Sequence, residues 1–162
     1  MSVTFHMAAN MRFAVAIHTA GLLGWAGKNS LTSEAIARSV NTNPVVVRRV
    51  ISLLAKHGLA VVRKGQGGGA TLARPPDQIR LDEIYRAVEP GAIAAIPKVS
   101  ACAMADCPVA AAVGPVLTEF FAHAEAGYVE RLAHFTLADL LTAVEQRVIE
   151  RPVALTGGSA AN

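Results

Sequence analysis

The sequence predicts a mainly α-helical chain: a winged helix-turn-helix of three helices and a two-stranded β wing, followed by a C-terminal helical dimerisation segment. Three observations predict it. Two short helical patterns flank a three-residue turn, Asn41-Thr42-Asn43, and the second helix is the more basic. A glycine-rich stretch edged by bases, Arg63-Lys64-Gly65-Gln66-Gly67-Gly68-Gly69-Ala70-Thr71-Leu72-Ala73-Arg74, follows directly, where a wing belongs. The charge is divided as well: Met1 to Arg80 carries ten bases against two acids, a net +8, whereas Leu81 to Asn162 carries five bases against ten acids, a net −5. One half suits an anionic partner and the other does not.

The elements follow in order. From about Met7 to Trp25, Phe13, Ile17, Ala20 and Gly24 recur at helical spacing with no proline between them, which makes a first core helix. Gly27 to Ser30 is a loop, and Thr32 or Ser33 is placed to cap a helix that runs through Val40, with Ile36, Ala37 and Val40 inward. Pro44 suits the first turn of the next helix, because its missing N–H would have had no partner there. In that helix Val46 or Val47, Val50, Leu53 and Leu54 repeat three or four apart, while Arg48, Arg49, Ser52 and Lys56 fall elsewhere. Gly58 ends it as a residue able to take positive φ. Val61 to Lys64 and Ala70 to Ala73 then pair as short strands across the glycine tip, and Pro75-Pro76 closes the unit.

Leu81 to Val88 is a further short helix, stopped by Glu89-Pro90-Gly91. Ala92 to Gly114, with Pro97, Cys102, Cys107 and Pro108, is an irregular connection up to Pro115. Beyond it Leu117, Phe120, Phe121, Ala124, Tyr128 and Leu132 form an apolar stripe suited to pairing with a second copy. Thr136 caps a last helix to about Ile149, and Thr156 to Asn162 should fray. The division is therefore 1–90 for the winged unit, 91–115 for the cysteine-bearing loop, 116–150 for the dimerisation segment and 151–162 for a flexible tail.

Composition narrows the class. With 162 residues, 52% hydrophobic but only 5% aromatic, the core must be built from Ala, Val, Leu and Ile, which favours close-packed helices. No run approaches the roughly 18 apolar residues a bilayer span needs, and no charged leader precedes an apolar stretch, so the expectation is a cytoplasmic chain without membrane contact. Two cysteines make no disulfide framework.

Together these features point to double-stranded DNA as the partner. A recognition helix in the major groove reads guanine O6 and N7 through guanidinium groups, at ~1–3 kcal/mol per good pair. Arg48 and Arg49 are the candidates, with Thr42, Asn43 and Ser52 nearby for phosphate or base. Since neighbours on a helix point about 100° apart, one arginine reads bases and the other holds phosphate. Arg63, Lys64 and Arg74 would sit near phosphates, with Gln66, Gly67 and Gly68 at the wing tip, where glycine lets the main chain come close to DNA. Each feature alone has a plain reading, a solvated helix face or an ordinary hairpin; it is their conjunction that indicates DNA. A nucleotide loop is excluded, since the glycines neither open a helix nor end in Gly-Lys-Ser/Thr.

These residues resemble the Rrf2 family of bacterial winged-helix transcription regulators. The resemblance rests on Thr32-Ser33-Glu34-Ala35-Ile36-Ala37, on Asn43-Pro44 opening the recognition helix, on Leu53-Leu54-Ala55-Lys56-His57-Gly58-Leu59, on the wing, and on Leu72-Ala73-Arg74-Pro75-Pro76. It continues through Ile79 to Ile84, and more weakly through Cys107-Pro108-Val109 and Thr136 to Leu140. It implies a homodimer on a roughly palindromic operator, usually repressing, with an effector the sequence does not name.

In the family's cluster-binding members the region of Cys102 and Cys107 carries three cysteines, which hold an iron–sulfur cluster with one further ligand. This chain has two, too few unless His123 or His134 contributes or two subunits share a cluster, so no cofactor and no metal is expected. His6, His18 and His57 show no ligand spacing either. Either Cys102 and Cys107 form a thiol switch, one oxidised and the other resolving it to a disulfide, or both are small buried hydrophobes. Asp106 beside Cys107 raises its pKa and works against the switch. A thiol enzyme is the reading from another class. It lacks any recognisable motif around either cysteine, so the chain is read as a non-enzyme. A pure dimerisation module would leave the +8 half unexplained.

Overall fold

A computed structural model describes residues 4–65, 68–89 and 108–150. Six helices and one two-stranded sheet follow in the order α1 (Thr4–Ala26), α2 (Ser33–Val40), α3 (Pro44–Lys56), β1 (Ala60–Arg63), β2 (Gly69–Leu72), α4 (Leu81–Val88), α5 (Pro108–Leu132) and α6 (Leu137–Glu150), with a 3-10 turn at Pro76–Gln78.

The helix-turn-helix forms where its local chemistry demands. The Thr32 hydroxyl accepts from the Ala35 N–H at 3.2 Å, so Thr32, rather than Ser33, caps α2. Asn41 ends α2 at φ 55°, a left-handed conformation that asparagine tolerates. Asn43 then caps α3, its Oδ1 accepting from the Val45 N–H at 2.8 Å, and Pro44 starts the helix without losing a bond. Gly58, at φ 70°, turns the chain out of α3, and the Leu59 N–H donates back to Leu54 O at 2.9 Å.

β1 and β2 pair antiparallel from Ala60↔Leu72 to Arg63↔Gly69, each strand beginning and ending one residue earlier than the sequence pattern suggests. The cause is the core: Ala60 and Ala70 are buried and fix the register. Leu31 adds a bridge to the outer edge of β2, its N–H donating to Ala70 O at 3.0 Å while the Ala70 N–H returns to Leu31 O at 2.8 Å.

The core gathers around α1. Val15, Ala16, Ala20 and Leu23 are buried against α3, α4, β2 and α6, with Phe13 and Ile17 half-buried at the flanks. Of the expected Phe13–Ile17–Ala20–Gly24 line Ala20 is fully buried, while the rest of the buried face turns toward Val15, Ala16 and Leu23, because α1 is packed on several sides and a single stripe cannot describe it. Small residues let partners approach: a Cβ on Gly24 would lie 2.9 Å from Leu141 Cδ1 of α6.

The connection expected over 91–115 is shorter than the pattern implied. α5 already begins at Pro108 and passes through Pro115 without ending. Proline at the first position costs no bond, and Pro115 gives up one backbone bond of a helix whose alanines and leucines otherwise favour it. The Thr118 hydroxyl donates to Gly114 O at 2.9 Å beside it. Thr136 caps α6 as expected: its hydroxyl accepts from the Asp139 N–H at 3.1 Å, and the Asp139 carboxylate accepts from the Thr136 N–H at 2.8 Å. The Thr136 N–H, and then the Thr136 hydroxyl that also donates to the carboxylate at 2.8 Å, hold the Asp139 carboxyl below its ordinary pKa. The 151–162 tail lies outside the described residues.

One buried charge stands at the end of α4. The Glu89 side chain is 4% exposed, and its only ionic neighbour among the described residues is Arg12 Nε at 3.6 Å. Burial pushes its carboxyl pKa up, and Arg12 offsets this only in part. A raised value means the fold prefers the protonated form. The stabilising contribution is complete below the ordinary carboxylate range and is lost as pH rises through the raised value. Glu89→Gln cannot ionise, so it should melt above the parent protein at about pH 8, and the gap should close near pH 4. A melting difference that does not change with pH would contradict this account of the site.

Candidate nucleic-acid interface

α3 supplies the exposed face. Val47, Val50, Ile51 and Leu54 point inward, so Arg48, Arg49, Ser52 and Lys56 are left exposed on the outer side. Val46 is on that side too, at 37% exposure, and it is Val47 that reaches the core.

Arg48 and Arg49, adjacent in sequence, enter different grooves. Arg48 lines one of about 650 Å³ between the start of α2, the outer face of α3 and the wing, together with Ser52, Arg63, Gly68 and Glu34. Arg49 lines another of about 430 Å³ toward α1, with Thr42 and Arg12 over a floor of Val15, Val46 and Leu53. The roughly 100° between neighbouring helix positions produces this separation.

Two features of this surface were missed from sequence. Arg48 Nη1 donates to Glu34 Oε1 at 3.3 Å, so an acid stands inside the basic groove. The Glu34 carboxyl is held below its ordinary pKa, chiefly by its own backbone N–H and then by Ser33 and Arg48, and stays charged at neutral pH. Both side chains are more than half exposed, so the pair steers Arg48 more than it stabilises the fold. Arg12 is the second: its Nη1 donates to Val88 O at 3.2 Å, which ties the α1 side of the second groove to the end of α4. No periodicity reports either contact, since the partners are far apart in the chain.

Asn43 and Thr42 lie at the α2–α3 turn. Capping occupies Asn43 Oδ1 but leaves its amide group as a donor. On the wing Arg63 and Lys64 are exposed. Gln66 and Gly67, expected at the tip, lie outside the described residues. The glycines beside them have a structural reason for being there: a Cβ on Gly68 would collide with Arg63 O, and one on Gly69 would stand 2.7 Å from Leu31 O. Closure of the hairpin on its own backbone requires glycine at 68, and packing on Leu31 before α2 requires it at 69, quite apart from any approach to DNA.

Arg74 has a different task from Arg63 and Lys64. Its Nη1 donates to Gln78 O at 2.9 Å and its Nη2 to Glu83 Oε1 at 3.1 Å, while the other Glu83 oxygen accepts from the Arg80 N–H at 3.0 Å. It braces the wing's exit against α4, with its charge matched by Glu83. Cys102 and Cys107 lie outside the described residues, and among those described no three of His, Cys, Asp and Glu are placed to share a metal ion. No helix among them is long and apolar enough to cross a membrane.

Comparison with known proteins agrees with this geometry. The Rrf2 profile, described as an iron-dependent transcriptional regulator, matches residues 9–143. The candidate HTH-type transcriptional regulator YwnA of Bacillus subtilis is 54% identical over 80 residues, 49% of this chain and 58% of YwnA. The matched stretch thus spans under two thirds of that relative. The crystal structure of a candidate transcriptional regulator from Lactobacillus plantarum superposes with a TM-score of 0.70 at 29% identity, over 87% of this chain and 91% of that one. A crystal structure described as a candidate DNA-binding protein is 40% identical, with a TM-score of 0.59 and coverage of 80% and 98%.

The glycine argument can be tested without DNA. Gly69→Ala should push β2 off Leu31, and the Ala70 amide, now bonded to Leu31 O, should lose about tenfold of its hydrogen-exchange protection, equivalent to ~1.4 kcal/mol. Unchanged protection would show that the wing tolerates a Cβ there.

Proposed function

The chain belongs to the Rrf2 family of transcriptional regulators, and we propose that it binds double-stranded DNA as a homodimer on a roughly palindromic operator, where it represses. The observation that carries the reading is the groove between α3 and the wing, with Arg48, Ser52 and Arg63 on its walls. α3 enters the major groove. Arg48 reads a base edge, released from Glu34 by the stronger paired acceptors of a guanine, while Arg49, Thr42 and Asn43 hold phosphates at the α1 side. Arg63 and Lys64, with Gln66 and Gly67 beyond them, follow the backbone along the wing.

The dimer is formed by α5. Phe120 and Phe121 are exposed on it at 64% and 41%, and Tyr128, whose ring meets Tyr85 of α4, is still 40% exposed beside them, which leaves an apolar area open to a second copy. Pairing there sets the distance between two copies of α3, and the operator's symmetry follows from the protein's. The site of action is the cytoplasm, where the DNA is.

Regulation is assigned to Cys102 and Cys107. A peroxide oxidises one thiolate to a sulfenic acid, and the other thiol displaces water from it to form a disulfide, shifting α5 relative to α4. The family description names iron, but a cluster held by three cysteines and one further ligand does not fit a chain with two cysteines, and no step is carried through one. No residue set among the described residues supports catalysis, and the protein is read as a binder.

Arg48→Ala and Arg49→Ala should each weaken binding to the DNA upstream of the protein's own coding sequence, Arg48→Ala by ~1–3 kcal/mol with relaxed sequence preference, Arg49→Ala uniformly and with a salt slope smaller by about one. Fluorescence anisotropy over a salt series distinguishes them, and unchanged affinity in both variants would remove the interface. Glu34→Gln should tighten binding to random-sequence DNA more than to the operator, because it removes a negative charge facing phosphate; an unchanged ratio of the two affinities would mean that Glu34 takes no part. Cys107→Ser should bind DNA normally under reductant but keep binding after peroxide treatment, whereas equal loss in variant and parent would eliminate the switch.

A further inference from the structure

A groove of about 760 Å³ runs between α4 and α5, and nothing in the DNA interface uses it. Its α4 wall is cationic. Asp82, with a side chain only 4% exposed, holds Arg80 through Nε at 2.9 Å and Arg86 through Nε at 3.3 Å. Burial pushes the Asp82 carboxyl up, but the hydrogen bonds from Arg80 and Arg86 outweigh it and keep the carboxylate ionised below its ordinary range. Because Arg86 is held by Nε, its two terminal nitrogens have no partner among the described residues.

The α5 wall is anionic. Glu125 accepts from the Tyr85 hydroxyl at 2.9 Å, which fixes its carboxylate, and Glu130 lines the same groove one turn further on. No ion pair among the described residues joins Glu130 to Arg80 or Arg86, so Glu130 shares the groove with both guanidinium groups without meeting them. Between the walls the floor is apolar and short, Ala126 and Val129.

A simple anion in this groove would face three carboxylates, Asp82, Glu125 and Glu130, and a simple cation the guanidinium groups of Arg80 and Arg86. A molecule with both charges satisfies both walls. We propose that the groove binds a free α-amino acid, its carboxylate against Arg80 and Arg86, its ammonium between Glu125 and Glu130, and its side chain over Ala126 and Val129.

The position has a consequence for regulation, which rests on the regulator reading above although the binding itself does not. α4 belongs to the winged unit, with Ile84, Ala87 and Val88 in the core, while α5 carries the exposed aromatic stripe. At about 100° per residue, the groove face of α5 (Ala122, Ala126, Val129) lies roughly 140° around the helix from the Phe120–Ala124–Tyr128 stripe, so pairing through the stripe leaves the groove open. A ligand that bridges the walls draws α4 and α5 together and changes the angle between the winged unit and the dimer axis.

The test is titration calorimetry of the full chain, without DNA, against each of the twenty common L-amino acids. One amino acid, or a chemically related few, should bind. Its N-acetyl and carboxamide forms should bind at least ~tenfold more weakly, as should Arg86→Gln and Glu130→Gln, both exposed positions whose substitution should leave the helical circular dichroism unchanged. No binding by any amino acid, or binding that survives both blocked forms or both variants, would overturn the proposal. Operator binding by the same preparations is measured separately: amino-acid binding without DNA binding would sink the regulator reading and keep the site, and the reverse would sink the site alone.

Discussion

Burial of one face of α3 is the constraint from which the rest of the surface follows. Val47, Val50, Ile51 and Leu54 are 0–6% exposed and packed among α1, α2, α4 and β1. Each large-to-small change at such positions typically costs ~2–5 kcal/mol, against ~1 kcal/mol or less for an exposed ion pair such as Arg48–Glu34. The helix therefore cannot rotate to suit its charges. The charges must instead serve the rotation that packing dictates, and packing puts Arg48 toward the wing and Arg49 toward α1. The caps at Thr32 and Asn43 set where α2 and α3 begin, hence how far the turn between them projects.

What was legible in sequence was what local chemistry decides. Thr32, Asn43-Pro44, Gly58 and Thr136 mark helix ends through bonds made within a few residues, and each sits where its pattern placed it. The wing was legible in kind but not in register, since the buried Ala60 and Ala70, not the turn, fix which residues pair. The start of α5 was hidden because Pro108 and Pro115 look like breakers when read alone. The face of α1 was misplaced in part because a helix packed on several sides has no single stripe. At the surface the residue types were legible and their partners were not. Arg74 looks like another basic wing residue until Glu83, nine positions later, is found to hold it. Glu34 looks like an ordinary early-helix acid until the turn carries Arg48 across it.

The molecule has two electrical halves that share one core, since Ile84, Val88 and Leu137 of the acidic half are buried with α1 and α3 of the basic half. The basic half holds α1 to β2, and the acidic half begins with α4. α4 belongs to both: Ile84 and Val88 are in the core of the winged unit, while Tyr85 packs on Tyr128 of α5 with ring centroids 5.4 Å apart. Burial, and then the hydrogen bond to Glu125, raise the Tyr85 hydroxyl pKa, so this link does not titrate in the physiological range. α4 touches both α5 and α3, and Arg12, bonded to Val88 O and close to Glu89, ties α1 to the end of that helix.

The central claim is that α3 and the wing of two paired chains read DNA together. A hydroxyl-radical footprint of the purified protein on the region upstream of its own coding sequence tests it most directly. The account predicts two protected half-sites related by approximate two-fold symmetry, with centres about one helical turn, ~34–36 Å, or a multiple of it apart. Uniform coverage without half-sites, or no protection at low salt, would contradict it.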